Sequence, residues 1–311
     1  MNMPTQPEGP GLADYGLLLL LAALWGSSFM FIKLAVATVP AVSMTALRLI
    51  LAAAFMYLLA RALGEDLPRS GRIWGVIVLS ALVGNALPFT LIGWGQERID
   101  AGLSAILMGA MPLTTAVLAH ILTVDEKLSV RRAAGVVLGF SGLVFLIGPE
   151  WLDRLGDHTV RQLAVLAAAC CYGLNAIITR HLIGLPRNGL AAAVLLASAA
   201  MMLPACLLAE PPWTVRPSAL SLTAIVVLAI FHTALGQLLL FALIRRQGAS
   251  FFSQINFLVP LFGVLWGVLI LGERPSPNAY AALALILAGL AVARRQPVIT
   301  PVSTANAEKK S

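Results

Sequence analysis

The chain has 311 residues, of which 59% are hydrophobic and only 11% charged, and its mean hydropathy is +0.89. A soluble domain carries about 45–50% apolar and about 25% charged residues, so this composition excludes a cytosolic enzyme, a nucleic-acid binder and a disordered protein. The net charge of +7 is spread over single and paired Lys and Arg, as the positive-inside bias of cytoplasmic loops produces.

Apolar runs long enough to cross a hydrocarbon core of about 30 Å fall near 15–36, 42–61, 73–94, 101–122, 131–148, 161–182, 190–209, 219–243, 250–271 and 277–294. The expectation is an all-α integral membrane protein of ten transmembrane helices, since a β-barrel would show short alternating segments. The connectors leave no room for a soluble domain. Residues 1–12 and 297–311, rich in Pro, Gly and small polar residues, are expected to be disordered tails, and no cleavable signal precedes the first span. Cys170, Cys171 and Cys206 lie inside apolar runs and read as small buried hydrophobes, without disulfide or metal-ligand spacing. With ten spans both tails share a side with Arg61, Arg69, Arg72, Lys127, Arg131, Arg132, Arg180, Arg187, Arg245 and Arg246. The other side holds Arg98, Arg154, Arg161, Arg216 and Arg274, which places both termini in the cytoplasm.

The two halves resemble each other. At offsets of 147 or 148 residues Trp25 pairs with Tyr172, Gly26 with Gly173, Lys33 with Arg180, Pro112 with Pro260 and Gly142 with Gly289. GNALPF (84–89) aligns with HTALGQ (232–237), and EKLS (126–129) with ERPS (273–276). The expected units are 13–148 and 161–296, joined by a connector over 149–160. Each holds five spans, an odd number, so the second must be inverted across the membrane. Such repeats mark secondary transporters with a midplane site between the halves.

LWGSSF in the first span, an Ala and a Pro eleven positions apart in the fourth (Ala101, Pro112) and ninth (Ala249, Pro260), and Gly272-Glu273 followed by Gly289 resemble the drug/metabolite transporter superfamily. The closest likeness is to EamA-type permeases and bacterial amino-acid exporters of the YddG type, over essentially the whole chain. The first half departs from that pattern, with VDEK in place of LGE. The resemblance implies a multi-pass carrier in a bacterial plasma (inner) membrane that exports aromatic or other neutral amino acids and related metabolites. It implies no cofactor and no nucleic-acid partner, only small-molecule substrates and membrane lipid, in a monomer or homodimer.

None of the 14 acidic residues sits mid-span, so the buried carboxylate common in proton- and sodium-coupled carriers is missing. No phosphate-binding G-x-x-x-x-G-K-[ST] loop occurs. Facilitated movement down a gradient is the simplest mechanism left, with proton coupling through His232, the one histidine deep in a span, as the alternative.

Candidate cavity residues are polar or aromatic positions inside the spans. Tyr172, Asn175 and Thr179 share one face of the sixth span; Trp25 and Ser28 lie on the repeat-equivalent face of the first. Asn85 and Phe89 are one turn apart in the third, beside Pro88. The eighth span offers His232 and Gln237, the ninth Gln254, Asn256 and Trp266. Each amide or hydroxyl can equally be an interhelical hydrogen bond worth about 0.6 kcal/mol, and Trp25 and Trp266 can be packing bulk. Pro88, Pro112 and Pro260 are kink or hinge candidates. Trp94 and Trp151 suit the membrane interface. Arg48 and Lys33, near the outer ends of their spans, are expected to snorkel. Glu273, at a span end, suits a cap. Gly135-x-x-x-Gly139 and Gly263-x-x-x-Gly267 allow close helix approach, the fifth and tenth spans forming a scaffold or a dimer contact. A rival reading takes Gly139-Phe140-Ser141-Gly142 as an intramembrane serine protease with Ser141 as nucleophile; the equivalent stretch of the second half has no Ser.

Overall fold

A computed structural model describes residues 10–124, 126–147, 157–182 and 184–293; Trp151, both tails and most of the 149–160 connector lie outside them. Every element among these residues is helical, as lipid requires of a chain whose backbone groups find no water. The rods are α1 (Leu12–Val36), α2 (Ala41–Ala62), α3 (Gly71–Gln96), α4 (Ala101–Leu122), α5 (Val130–Ile147) and α6 (Asp157–Ile178, closed by a 3₁₀ turn, Thr179–Leu182). They continue with α7 (Arg187–Ala209), α8 (Ala219–Val227, Leu228–Leu235 and Gly236–Phe252 end to end), α9 (Ile255–Leu271) and α10 (Pro277–Ala293). Seven are long and apolar enough to cross a membrane; α9 and α10 are apolar but shorter.

Four interruptions are not visible as sequence periodicity. α3 widens into a π-helical turn at Leu82–Ala86, and α8 does so over Leu228–Leu235. Pro88 follows the first directly, at the second position of Leu87–Gln96, and its missing N–H leaves a carbonyl of the π turn without a backbone donor. The two wide turns overlap the matching GNALPF and HTALGQ segments, so both halves carry a like backbone defect at about the same depth of sequence. α4 breaks at Gly109–Ala110, and Pro112 starts its second segment, Met111–Leu122. Pro260, its repeat partner, lies inside α9, which runs through it as one helix. The break before α9 comes earlier, at Gly248, with φ of 79°. α6 starts at Asp157, ahead of the apolar run that begins at 161, because polar residues supply its first turn.

Glycine sets the closest helix contacts. Gly135 and Gly139 of α5 face Gly289 of α10: a Cβ on Gly289 would lie 2.5 Å from the Gly135 carbonyl oxygen and from the Gly139 nitrogen. The small-residue face of α5 is thus consumed within the chain. Gly26 of α1 meets α9 at Phe262 and Gly263, and Gly263 in turn meets Ala105 of α4. α2 and α7 pack through Ala46, Leu49, Ala53 and Met56 against Ala192, Leu195 and Met202.

Candidate functional site

The wide turn of α8 organises a buried polar cluster. A π turn carries its side chains past carbonyls five residues back, and two residues use this. His232 Nδ1 donates to the Val227 carbonyl (3.1 Å), and Thr233 Oγ1 donates to the Leu228 carbonyl (2.9 Å). His232 is 4% exposed; its Nε2 sits 2.9 Å from Ser27 Oγ of α1, and its ring packs edge-on against Phe31 at 5.2 Å. A carbonyl only accepts, so Nδ1 carries the proton.

Thr233 Oγ1 also accepts from Arg48. This arginine does not snorkel: it is 5% exposed, its Nε lies 2.9 Å from Thr233 Oγ1, and its guanidinium lies 3.8 Å from the centre of the Phe89 ring. Phe89 comes one turn after the π turn of α3, and Tyr172 of α6 packs against the same apolar cluster. Arg48 has no carboxylate partner among the described residues. Desolvating one ion costs several kcal/mol. The cation–π contact returns about 2 kcal/mol and one hydrogen bond to a charged group about 1.5–3 kcal/mol. These terms are comparable, and they use only one of the guanidinium's three nitrogens. One turn earlier on the same helix, Thr45 Oγ1 is fully buried without a hydrogen-bond partner.

The remaining candidates divide. Asn175 Oδ1 accepts from Ser80 Oγ of α3 (2.7 Å), and its amide lies against Gly84 in the π turn. Asn85 Nδ2 donates to Ser198 Oγ of α7 (3.2 Å), and Trp266 Nε1 to the Ala23 carbonyl (3.1 Å); these are interhelical ties. Ser28 and Thr179 bond back to their own helices at Trp25 and Asn175, and Asn256 to the Ser253 carbonyl. Trp25 stands edge-on to Phe252, against Gly236 of α8. Gln237 and Gln254 are half-buried. The two residues the sequence undervalued are Arg48 and Ser27, the latter one position from the Ser28 that the repeat selected.

One end of the bundle is tightly joined. Glu273 accepts from the first two amides of α4, Ala101 (2.7 Å) and Gly102 (2.8 Å). Glu210 accepts from Val42 and Ser43 at the start of α2. Arg161 pairs with Glu97 at 2.7 Å and lies over Trp94, while Lys33 Nζ donates to the carbonyls of Gln96 and Ile99 at the end of α3. Lys33 thus caps a helix terminus. At the other end Asp14 bonds Arg246 and Gln247, Glu65 caps α7 at Asn188 and Gly189, and Arg180 pairs with Glu126. That end also holds a cleft of about 260 Å³ lined by Glu65, Arg187, Asn188, Leu238, Phe241 and Arg245. Its apolar wall, Leu238 and Phe241, packs on the cluster that contains Phe89 and Tyr172.

Ser141 is exposed, and its hydroxyl donates to the Leu138 carbonyl, while His232 is taken up by Ser27. The nucleophile and base of a protease do not meet. No group of His, Cys, Asp and Glu able to hold a metal occurs among the described residues.

A buried polar cluster between apolar rods and a cleft at one end are the features of a membrane protein that handles small molecules. The EamA-like transporter family model matches residues 14–148 and again 161–295; the chain belongs to this family, whose members are transporters and not enzymes. It is 24% identical to the uncharacterized transporter YoaV of Bacillus subtilis, over 86% of this chain and 91% of that one. Protein PagO of Salmonella typhimurium is 25% identical over 91% and 94%. An S-adenosylmethionine/S-adenosylhomocysteine transporter of Chlamydia trachomatis is 27% identical over 88% and 86%. A solved crystal structure shares the fold with a TM-score of 0.64 at 22% identity, covering 90% of this chain and 97% of its own.

Proposed function

We propose that the protein is a secondary transporter that exports neutral amino acids, aromatic or otherwise hydrophobic, and related metabolites across a bacterial plasma membrane by alternating access. It carries them down their gradient through ten transmembrane helices arranged as two inverted five-helix repeats, 13–148 and 161–296, with both termini cytoplasmic. The observation that carries this reading is the cluster of Arg48, Phe89, Tyr172, Ser27, His232 and Thr233. It sets one cation and several hydrogen-bonding groups beside aromatic faces, the combination an amino acid with an apolar side chain requires. The paired π turns support the repeat, because such turns gather at functional sites. The Chlamydia trachomatis relative supports the class, since its named substrates are themselves amino-acid derivatives. The cleft near Glu65 and Arg187 opens, in this reading, to the cytoplasm. The absence of an intramembrane carboxylate among the described residues supports facilitated transport.

A second reading, proton coupling through His232, draws on one observation. The Ser27 hydroxyl has two acceptors in reach, the Leu24 carbonyl at 2.8 Å and His232 Nε2. A proton on Nε2 would be donated to Ser27 Oγ and leave Ser27 to donate to Leu24, so a proton has a place to go.

Uptake of a panel of labelled amino acids into proteoliposomes, with and without a pH gradient, tests both. Saturable uptake and counterflow of Phe, Trp, Tyr or Met that ignore the pH gradient are expected. Strict dependence on the gradient would replace the first mechanism by the second, and no amino-acid uptake at all would refute the substrate class.

A further inference from the structure

Arg48 stands out as a cation deep in an apolar bundle that the interhelical ties of the fold do not use. Its Nε is fixed on Thr233 Oγ1, and Thr233 is itself held by the Leu228 carbonyl of the π turn. No other hydrogen bond of the guanidinium is made among the described residues, so the two terminal nitrogens of the fork are unspent. That geometry suits the two oxygens of a carboxylate, which Arg binds in a bidentate fork. The face of the ring of Phe89 closes one side of the guanidinium plane, and a buried, unpartnered hydroxyl, Thr45 Oγ1, lies one turn away on the same helix. An ionisable side chain inside a membrane bundle without an internal counter-ion belongs to a substrate pathway.

The cleft and Arg48 are both served by α8, whose Leu238 and Phe241 pack on the apolar cluster that contains Phe89. Gln237 and Phe241 are four residues apart in the regular part of α8, which keeps them near one helix face, and Thr233 precedes them in the π turn. Phe241 lines the cleft, Gln237 is half-buried midway, and Thr233 holds Arg48. Arg187 lies at the cleft, 6.0 Å from the Phe241 ring, with Arg245 beside it. The cleft carries two cations and the Glu65 carboxylate, which is already spent on the first amides of α7, and with Arg48 deeper in the bundle the excess positive charge beside an apolar wall favours an anionic head with an apolar body.

We infer that Arg48 is the substrate's counter-ion: it binds the carboxylate of an α-amino acid or of a related apolar organic acid. This rests on the amino-acid reading above and adds the residue that selects for a free acid group. Three probes of one shape separate the charges: phenylalanine, phenylalaninamide and 3-phenylpropionate. Each is titrated against the full-length protein in detergent, read as ligand-induced thermal stabilisation, and offered for counterflow in proteoliposomes. The wild type binds phenylalanine and phenylpropionate at least tenfold more tightly than the amide. Arg48→Gln abolishes that preference, while Arg48→Lys, which keeps the charge but not the fork, retains it at several-fold weaker binding. Without ligand Arg48→Gln melts no lower than wild type, because it removes an unpaired buried charge; a merely structural arginine would lower the melting point. Equal binding of amide and acid by the wild type, or an undiminished preference in Arg48→Gln, overturns the assignment while leaving amino-acid transport standing. Arg48-dependent binding of phenylpropionate without any amino-acid counterflow keeps the anchor and removes the amino-acid reading. No binding of any probe refutes both, and the wild-type and Lys comparisons decide if the Gln variant does not fold.

Discussion

Glu273→Gln tests whether the tight end of the bundle is held by charge. Gly272 adopts a left-handed conformation (φ 68°) at the end of α9, which swings Glu273 back over the start of α4. Its two oxygens each take one helix-terminal amide, at 2.7 and 2.8 Å, and Gly102 and Gly267 leave the room: a Cβ on Gly102 would stand 3.1 Å from Oε2. Glutamine keeps the shape and one acceptor but turns an NH₂ toward the second amide. The loss of one charge-assisted hydrogen bond costs about 1.5–3 kcal/mol, and loss of the charge at the helix N-terminus adds about 0.3–1 kcal/mol. At about 2 °C per kcal/mol for a chain of this size, the apparent melting point falls by roughly 4–8 °C. Because such unfolding is commonly irreversible, all variants are scanned in detergent at one heating rate. Glu126→Gln is the internal comparison. Glu126 is the repeat partner of Glu273, but its carboxylate pairs with Arg180 at 3.0 Å with side chains 29% and 36% exposed, a pair worth at most about 1 kcal/mol. A Glu126→Gln shift equal to or larger than that of Glu273→Gln would refute the argument.

Further outcomes follow from the packing. Gly26→Ala places a Cβ 2.5 Å from Phe262 Cβ and 3.0 Å from the Gly263 nitrogen; overpacking at about 1–3 kcal/mol should lower the melting point measurably, and an unchanged value would mean that α1 and α9 slide freely. Asn85→Ala removes a tie to Ser198 worth about 0.6 kcal/mol, so transport rates in proteoliposomes should stay within twofold; a collapse of transport would place Asn85 on the substrate path. Ser141→Ala should leave stability and counterflow unchanged, since this exposed hydroxyl bonds only its own helix, and loss of either would reopen the question of its role.

Much of the helical architecture was written in the sequence because hydropathy integrates over twenty residues and tolerates local error. The glycine contacts were equally legible: small residues four apart in an apolar run have few uses other than close packing. The burial of His232 follows from its place deep in an apolar run. Arg48 was misjudged because distance from a span end measures depth along one helix. Its burial depends instead on Thr233 and Phe89, which are delivered by wide turns in two other helices. Those turns break the 3.6-residue period within α3 and α8, so periodicity alone does not show which residues of other helices they meet. The sequence signal for the wide turns is the matching of GNALPF with HTALGQ, two segments that each overlap one of them. Pro112 and Pro260 show the reverse case, where equal sequence positions took different backbones, because Gly109 stands beside Pro260 and α4 breaks there while α9 does not.

The carboxylate caps on α2 and α7 bear on the proposed inversion more directly than any sequence identity. Glu65, just past the end of α2, accepts from Asn188 and Gly189 at the start of α7 (2.8 and 2.9 Å) and from the Asn188 side chain. Glu210, just past the end of α7, accepts from Val42 and Ser43 at the start of α2 (3.3 and 2.7 Å). Each helix therefore begins against the glutamate that ends the other, a reciprocity that two halves related by a two-fold axis in the membrane plane would produce. The sites lie at opposite ends of a 22-residue helix, about 33 Å apart at 1.5 Å per residue, with no shared partner. Glu65→Gln and Glu210→Gln should each cost about 1–3 kcal/mol, and their melting shifts should add within about 0.5 kcal/mol. Coupling above about 1 kcal/mol would mean that α2 and α7 respond as one rigid lever, and that the two caps are alternately loaded gates instead of independent pins.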